Sequence, residues 1–170
     1  MGRGRAQCVT AGLAAACLLA GGNLQAGEDT ALKNWFGDPF FQVADTLPRC
    51  PQPLGPLLTE SGMKSEAHSR AERGTTCWMA GDCRLPNAYH YDAAIAEAIR
   101  ERMPAVHDAN LWITVKRRFV WLEGCMADTS KVAELERLLK AVPDVEHVFV
   151  NVMKGSEGRP PYPALPRDKR

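Results

Sequence analysis

The sequence has almost no net charge. Its 170 residues carry 21 Lys and Arg against 20 Asp and Glu, a formal charge of +1. That argues against a nucleic-acid binder relying on a strongly basic face, which needs a surplus of cations along the phosphates. Catalytic signatures are missing too. There is no G-x-S-x-G, no phosphate-binding loop and no dinucleotide fingerprint. His68, His90, His107 and His147 are scattered, without the paired spacing of a metal site. No C-x-x-C occurs, so a thioredoxin-like redox motif is not expected. These absences point to a protein that is not an enzyme and holds no cofactor. What is present is an ordinary globular mixture, 45% apolar and 24% charged, with 12 Pro and 14 Gly.

Residues 1–26 read as a secretory leader. Arg3 and Arg5 form a basic start, and Cys8 to Ala20 is an apolar run too short to span a bilayer. Gly21-Gly22-Asn23 breaks it, and Ala26 supplies a small residue for cleavage. The rivals are a short buried helix and lipoprotein processing at Cys17, although Ala14-Ala15-Ala16 lacks the usual Leu. Cleavage after Ala26 leaves 19 basic and 20 acidic residues and no other stretch long enough for a transmembrane span. It also leaves four cysteines, Cys50, Cys77, Cys83 and Cys125. An even count in an exported chain reads as two disulfides, with three connectivities open.

The mature chain falls into three zones. Residues 27–90 are irregular and Pro-rich, with helices expected near Thr30–Phe36, from Asp38 as N-cap and Pro39 at the first helical position to about Thr46, and from Met63 to a stop at Gly74. Residues 91–153 are patterned. Asp92 is placed to cap a helix carrying Ile95, Ala98 and Ile99, closed by Pro104. Leu111–Val115 and Phe119–Leu122 alternate as strands around Lys116-Arg117-Arg118, a hairpin link without the usual Gly. Gly124 ends or bulges the second strand. A helix with Val132, Leu135, Leu138, Leu139 and Val142 on one face follows, then a strand from Val145 to Met153. The expected fold is α+β: an αββαβ sandwich with two helices on one face of a three-stranded mixed sheet. An irregular, disulfide-tethered N-terminal segment is attached to it. Residues 154–170, with four prolines, are expected to be a disordered, exposed tail.

Strand parity divides the sheet. Ile113, Val115, Val120, Leu122, Val148, Val150 and Val152 face the helices. Trp112, Thr114, Phe119, Trp121, His147, Phe149, Asn151 and Met153 face away. That second face is too apolar for a soluble monomer to leave bare, so the N-terminal segment, a second copy or a ligand should cover it. Cys125 shares its parity, and every possible disulfide partner lies in the N-terminal segment. Gly81 and the five residues between Cys77 and Cys83 permit a turn, which favours Cys77–Cys83 and therefore Cys50–Cys125. Closing that loop of ~75 residues constrains the unfolded chain by roughly 4 kcal/mol.

Residues 91–153 resemble a BON domain, the bacterial osmotic-shock and nodulation module. The resemblance rests on Tyr91-Asp92 with Ile95 and Ile99, then Ile113-x-Val115 and Val120-x-Leu122-x-Gly124. It continues through Leu135 and Leu139 to Val142-Pro143-Asp144-Val145, Val148 and Val150. The sequence departs from the family in lacking a Gly at Pro143 or Asp144 and in the hairpin, and in carrying one module where two are frequent. The resemblance implies a non-catalytic envelope protein, associated with osmotic stress, that binds phospholipid or a membrane-linked partner. Residues 27–90 resemble no named domain.

Two contact surfaces are then expected. Lys116, Arg117 and Arg118 at the hairpin tip are placed to project together toward anionic phospholipid headgroups, at roughly 1 kcal/mol per base; the bland alternative is a charged turn. Trp112, Trp121 and Phe149 offer a surface for lipid or an envelope protein, the bland alternative being packing under the N-terminal segment. Lipid binding at the periplasmic face and scaffolding of an envelope assembly both remain open. Intact-mass measurement of the secreted protein should place its N-terminus near Gly27; a diacylated Cys17 there would overturn the leader assignment.

Overall fold

A computed structural model describes residues 31–166, the side chains of 72–74 excepted. The leader, with Arg3, Arg5 and Cys17, lies outside the described residues, as do Thr30 and residues 167–170. The fold is α+β. In chain order come strand β1 (Phe40–Asp45), helix α1 (Glu60–Met79), helix α2 (Asp92–Arg102), strands β2 (Ala109–Lys116) and β3 (Phe119–Met126), helix α3 (Val132–Lys140) and strand β4 (His147–Lys154). The sheet order is β1-β2-β3-β4. β1, β2 and β3 are antiparallel neighbours, whereas β4 runs parallel to β3. α3 makes the crossover that a parallel pair requires.

The helix-facing parity forms the core. Ile95 and Ile99 of α2 and Leu135 and Leu139 of α3 bury against Leu111, Ile113, Val115, Val120, Leu122 and Val148. Alternation places these residues on one side because successive strand side chains point to opposite faces. The β2–β3 register is unbroken from Ala109↔Met126 to Lys116↔Phe119. Gly124 therefore neither ends nor bulges β3. It lies within the strand at φ +139, and a Cβ there would run into the Asn110 carbonyl and the Leu111 backbone. Glycine is needed at this point because two backbones approach too closely for a side chain.

Several local expectations are overturned. The segment after Asp38-Pro39 is strand β1 instead of a helix, so the sheet has four strands, not three. The edge of β2 supplies hydrogen bonds that a helix would have left unmade: Val115 N–H donates to Pro39 O at 2.9 Å and Thr46 N–H to Ala109 O at 2.8 Å. Asp38 is buried as the ion partner of Arg70 instead of serving as a cap. Residues 31–36 form a turn with one bridge, Lys33↔Leu58, rather than a helix. α1 begins at an N-cap, Thr59, whose Oγ1 accepts from Gly62 N–H, and it runs through Gly74 to Met79. An interior glycine costs a helix about 1 kcal/mol, too little to stop one held by the Arg70 ion pairs and the disulfide at Cys77.

The C-terminal segment is also corrected. Through residue 166 it is ordered against residues 50–58, not a disordered tail. Pro53 bridges Ala164, Leu54 N–H donates to Pro163 O at 2.8 Å, and Leu165 N–H donates to Gln52 O at 2.9 Å. Tyr162, 5% exposed, donates its hydroxyl to Pro51 O at 2.7 Å. Proline lacks an N–H but keeps its carbonyl, and here those carbonyls are the acceptors.

Cys50 is joined to Cys125 with Cα atoms 5.9 Å apart, and Cys77 to Cys83 with Cα atoms 5.3 Å apart. Such bonds persist in an oxidising compartment, consistent with export. Among the described residues no helix is long and apolar enough to cross a membrane.

The close approach at Gly124 gives a direct test. Gly124→Ala should destabilise the protein by at least about 2 kcal/mol through clash and strain together. The urea unfolding midpoint measures it, and an unchanged midpoint would show that β2 and β3 can part without cost.

Candidate functional site: the open face of the sheet

The face turned away from α2 and α3 is covered at one end only. Residues 50–58 cross it, with Gly55 against the Phe40 ring, and the Cys50–Cys125 bond fastens them down. Trp112 lies on this covered part at 8% exposure, so packing, not a contact surface, is its place. Beyond it the cover stops. Phe119, Trp121, His147 and Phe149 form one aromatic cluster at the far end. Trp121 and Phe149, register partners on β3 and β4, stack at 5.0 Å and 17°; Phe119 meets both edge-on, and His147 lies 4.5 Å from Phe149. Phe149 remains 37% exposed on β4, the edge strand of the sheet among the described residues, and Trp121 beside it on β3 is half-buried.

At the boundary between covered and open ends lies a cavity of about 180 Å³. Thr114, Lys116, Trp121 and Glu123 form its floor, and Leu54, Gly55 and Pro163 its rim. Glu123 is buried, and burial pushes its carboxyl upward against the opposing effect of the Asn151 amide, which donates to it at 3.2 Å. The Thr114 hydroxyl is buried without a hydrogen-bond partner among the described residues. The parity reading placed Thr114 and Asn151 on this face but did not single them out. A buried acid at an outward-facing position is visible only once the cover is known.

The three hairpin bases do not project together. Lys116 Nζ turns back to Glu66 Oε1 of α1 at 3.1 Å and lies 5.3 Å from the Trp121 ring centre. Glu66 also binds Arg70, which in turn holds Asp38. Burial works to raise Glu66, but the Lys116 ammonium and the Arg70 guanidinium outweigh it and hold the carboxyl below its usual range. Arg118 Nε donates to Asp144 O at 2.8 Å, and its guanidinium lies over Tyr91 and reaches the Cys83 sulfur at 3.4 Å. Arg117 is half-buried and lines a separate cavity with Phe36, Arg70 and Tyr89. The expectation of a forward-pointing basic tip is therefore corrected: α1 and the Cys77–Cys83 loop pack around the hairpin and draw its charges in.

Asp92 explains the turn. It does not cap α2; Tyr91 occupies the cap position without a side-chain bond. The Asp92 carboxylate instead accepts from Arg117 N–H at 2.7 Å and Arg118 N–H at 2.8 Å. Both arginines have positive φ, 53° and 68°. That conformation ordinarily calls for Asn-Gly and costs an L-residue about 1 kcal/mol or more. Burial pushes the Asp92 carboxyl up to about 6, with the two backbone donors pulling the other way.

Among the described residues no group of three or more His, Cys, Asp and Glu can hold a metal ion. The arrangement offers aromatic surface and buried polar groups. No family profile, curated protein or solved structure matches the chain.

Asp92 should leave a pH signature. Its folded value lies above the unfolded value of about 3.9, so the folded state holds the extra proton between about pH 4 and 6. That contribution is full below about pH 4 and is lost as pH rises through 6. Relative to Asp92→Asn, the native protein should lose about 1–3 kcal/mol of unfolding free energy between pH 4 and 6.5. Parallel stability curves for the two proteins would sink the assignment.

Proposed function

We propose that the protein is a non-catalytic binding module of the cell envelope, exported to the periplasm. Its contact surface is the open aromatic end of the sheet, and its occupant is an envelope protein. The observation that carries this reading is the stacked Trp121–Phe149 pair with Phe119 and His147, spanning β3 and the edge strand β4, where Phe149 stays exposed. Aromatic clusters of this kind anchor protein interfaces through large apolar area on few rotatable bonds. The two disulfides support export. The order α2-β2-β3-α3-β4 supports kinship with the BON family, since it is the αββαβ order expected from the resemblance.

A second reading, peripheral binding to phospholipid, draws on a different place. The hairpin bases are engaged within the chain, which weakens an electrostatic headgroup site. However, the last residues of α1, Trp78 at 48% and Met79 at 83% exposure, are apolar and exposed. An exposed Trp–Met helix end suits the interfacial zone of a bilayer.

The two readings separate in one pair of measurements. A photoreactive side chain at position 149 should crosslink to a discrete envelope protein, and Trp121→Ala should abolish that adduct. Vesicles of phosphatidylglycerol should not pellet the protein. Pelleting that is lost with Trp78→Ser and unaffected by Trp121→Ala would overturn the protein-partner reading in favour of lipid.

A further inference from the structure

We propose that Cys77 is a site of thiol–disulfide exchange, where a small thiol such as glutathione forms a mixed disulfide and expels Cys83 as a thiolate. The two sulfurs of this bond are in unlike surroundings. Arg118 Nη1 stands 3.4 Å from Cys83 Sγ and 4.0 Å from Cys77 Sγ. That guanidinium is fixed by its Nε bond to Asp144 O and by the Tyr91 ring beneath it. Cys77 lies in the last turn of α1, a 20-residue helix with no basic residue in that turn. The negative end of a helix dipole disfavours a negative charge nearby, whereas an adjacent guanidinium favours one. Both features make Cys83 the better thiolate, and exchange is fastest when the better-stabilised thiol departs. Asp82 beside Cys83 is exposed and screened by solvent. Arg84 on its other side is tied to Asp144 Oδ2 at 2.5 Å.

The step balances without an outside oxidant. The incoming thiolate attacks Cys77 Sγ, the new S–S bond forms as the Cys77–Cys83 bond breaks, and the electron pair leaves on Cys83 Sγ against Arg118. Re-attack by Cys83 on Cys77 reverses it. Both cysteines are half-exposed, so a small thiol can reach them. The other disulfide differs on each count: Cys125 is 0% exposed, and the Tyr162 hydroxyl lies beside the bond. The sequence separations, 6 against 75, also make the short ring the less costly one to open.

The test uses the full oxidised chain. It is incubated with reduced glutathione, quenched in acid, alkylated and mapped by peptide mass. Glutathione should appear on Cys77 with Cys83 alkylated, while Cys50–Cys125 stays intact. Arg118→Gln should slow opening by about three- to tenfold, and Arg118→Lys should restore most of the rate. Survival of Cys50–Cys125 in the same sample reports that each variant is folded. Where Arg118→Gln does not fold, the position of glutathione in the unsubstituted protein decides alone. Glutathione on Cys83, opening of both disulfides together, or a folded Arg118→Gln with an unchanged rate would each overturn the proposal.

Discussion

The sheet has two apolar faces, and the helices α2 and α3 cover one of them. α2 and α3 bury the face carrying Ile113, Val115, Val120 and Leu122. The other face carries Trp112, Phe119, Trp121 and Phe149, an area that water would disfavour if it were left bare. Much of the remaining architecture follows from that constraint. Residues 50–58 have no core of their own, so they gain order by lying across this face. The C-terminal segment pairs with them at Pro53, and Tyr162 seals the junction. The Cys50–Cys125 bond fixes the cover to β3. Holding an irregular, proline-rich layer in place by packing alone would have required apolar periodicity that these residues lack.

Covering a sheet with such a layer strands polar groups, and the structure answers with pairing across long sequence distances. Asp38, Arg70, Glu66 and Lys116 form one chain of ion pairs joining the N-terminal segment, α1 and the hairpin. A partly buried charge is costly unless its partners are in place, so the chain contributes more to a single geometry than to net stability. Asp92 works in the same way at shorter range. Its carboxylate takes two backbone donors of a turn whose residues sit at positive φ, substituting for the Asn-Gly chemistry the turn otherwise needs. The folded state holds that carboxylate partly against its ordinary titration, because burial outweighs the two hydrogen bonds.

Legibility from sequence followed periodicity. The core elements showed themselves through alternation at Leu111–Val115 and Phe119–Leu122 and through the helical stripe at Leu135 and Leu139. Parity then divided the sheet's faces and placed Cys125 on the open one. Segments without periodicity hide their structure from local rules. Asp38-Pro39 carries a helix-start signal, but the unpaired edge of β2 outweighs it, and no local rule contains that edge. Gly124 carries a stop signal because a strand glycine usually weakens pairing, but its reason is the Asn110 backbone on the neighbouring strand. Prolines at 160–166 read as exposed chain because the rule concerns missing donors, whereas here proline carbonyls accept. The hairpin bases depart from the sequence expectation for a related cause: nothing local to the turn encodes α1, whose Glu66 draws Lys116 in.

The cover is incomplete at one end, and the reason is geometric. Residues 50–58 and 162–165 reach from the β1 side as far as Trp121, where Leu54 and Pro163 rim the small cavity above Thr114 and Glu123. β4 lies beyond that reach. An uncovered edge strand invites indiscriminate pairing, yet this one carries restraints. Lys154 ends it in solvent, and Asn151 engages Glu123 across the strand, which breaks the apolar surface below Phe149. The aromatic patch is thereby confined to the four rings at the β3 and β4 start. A bounded apolar patch with a polar margin has the layout of an interface core and its rim. The same incompleteness that leaves the sheet short of cover also limits what can dock there, to a partner shaped for the stacked pair and its edge-on neighbours.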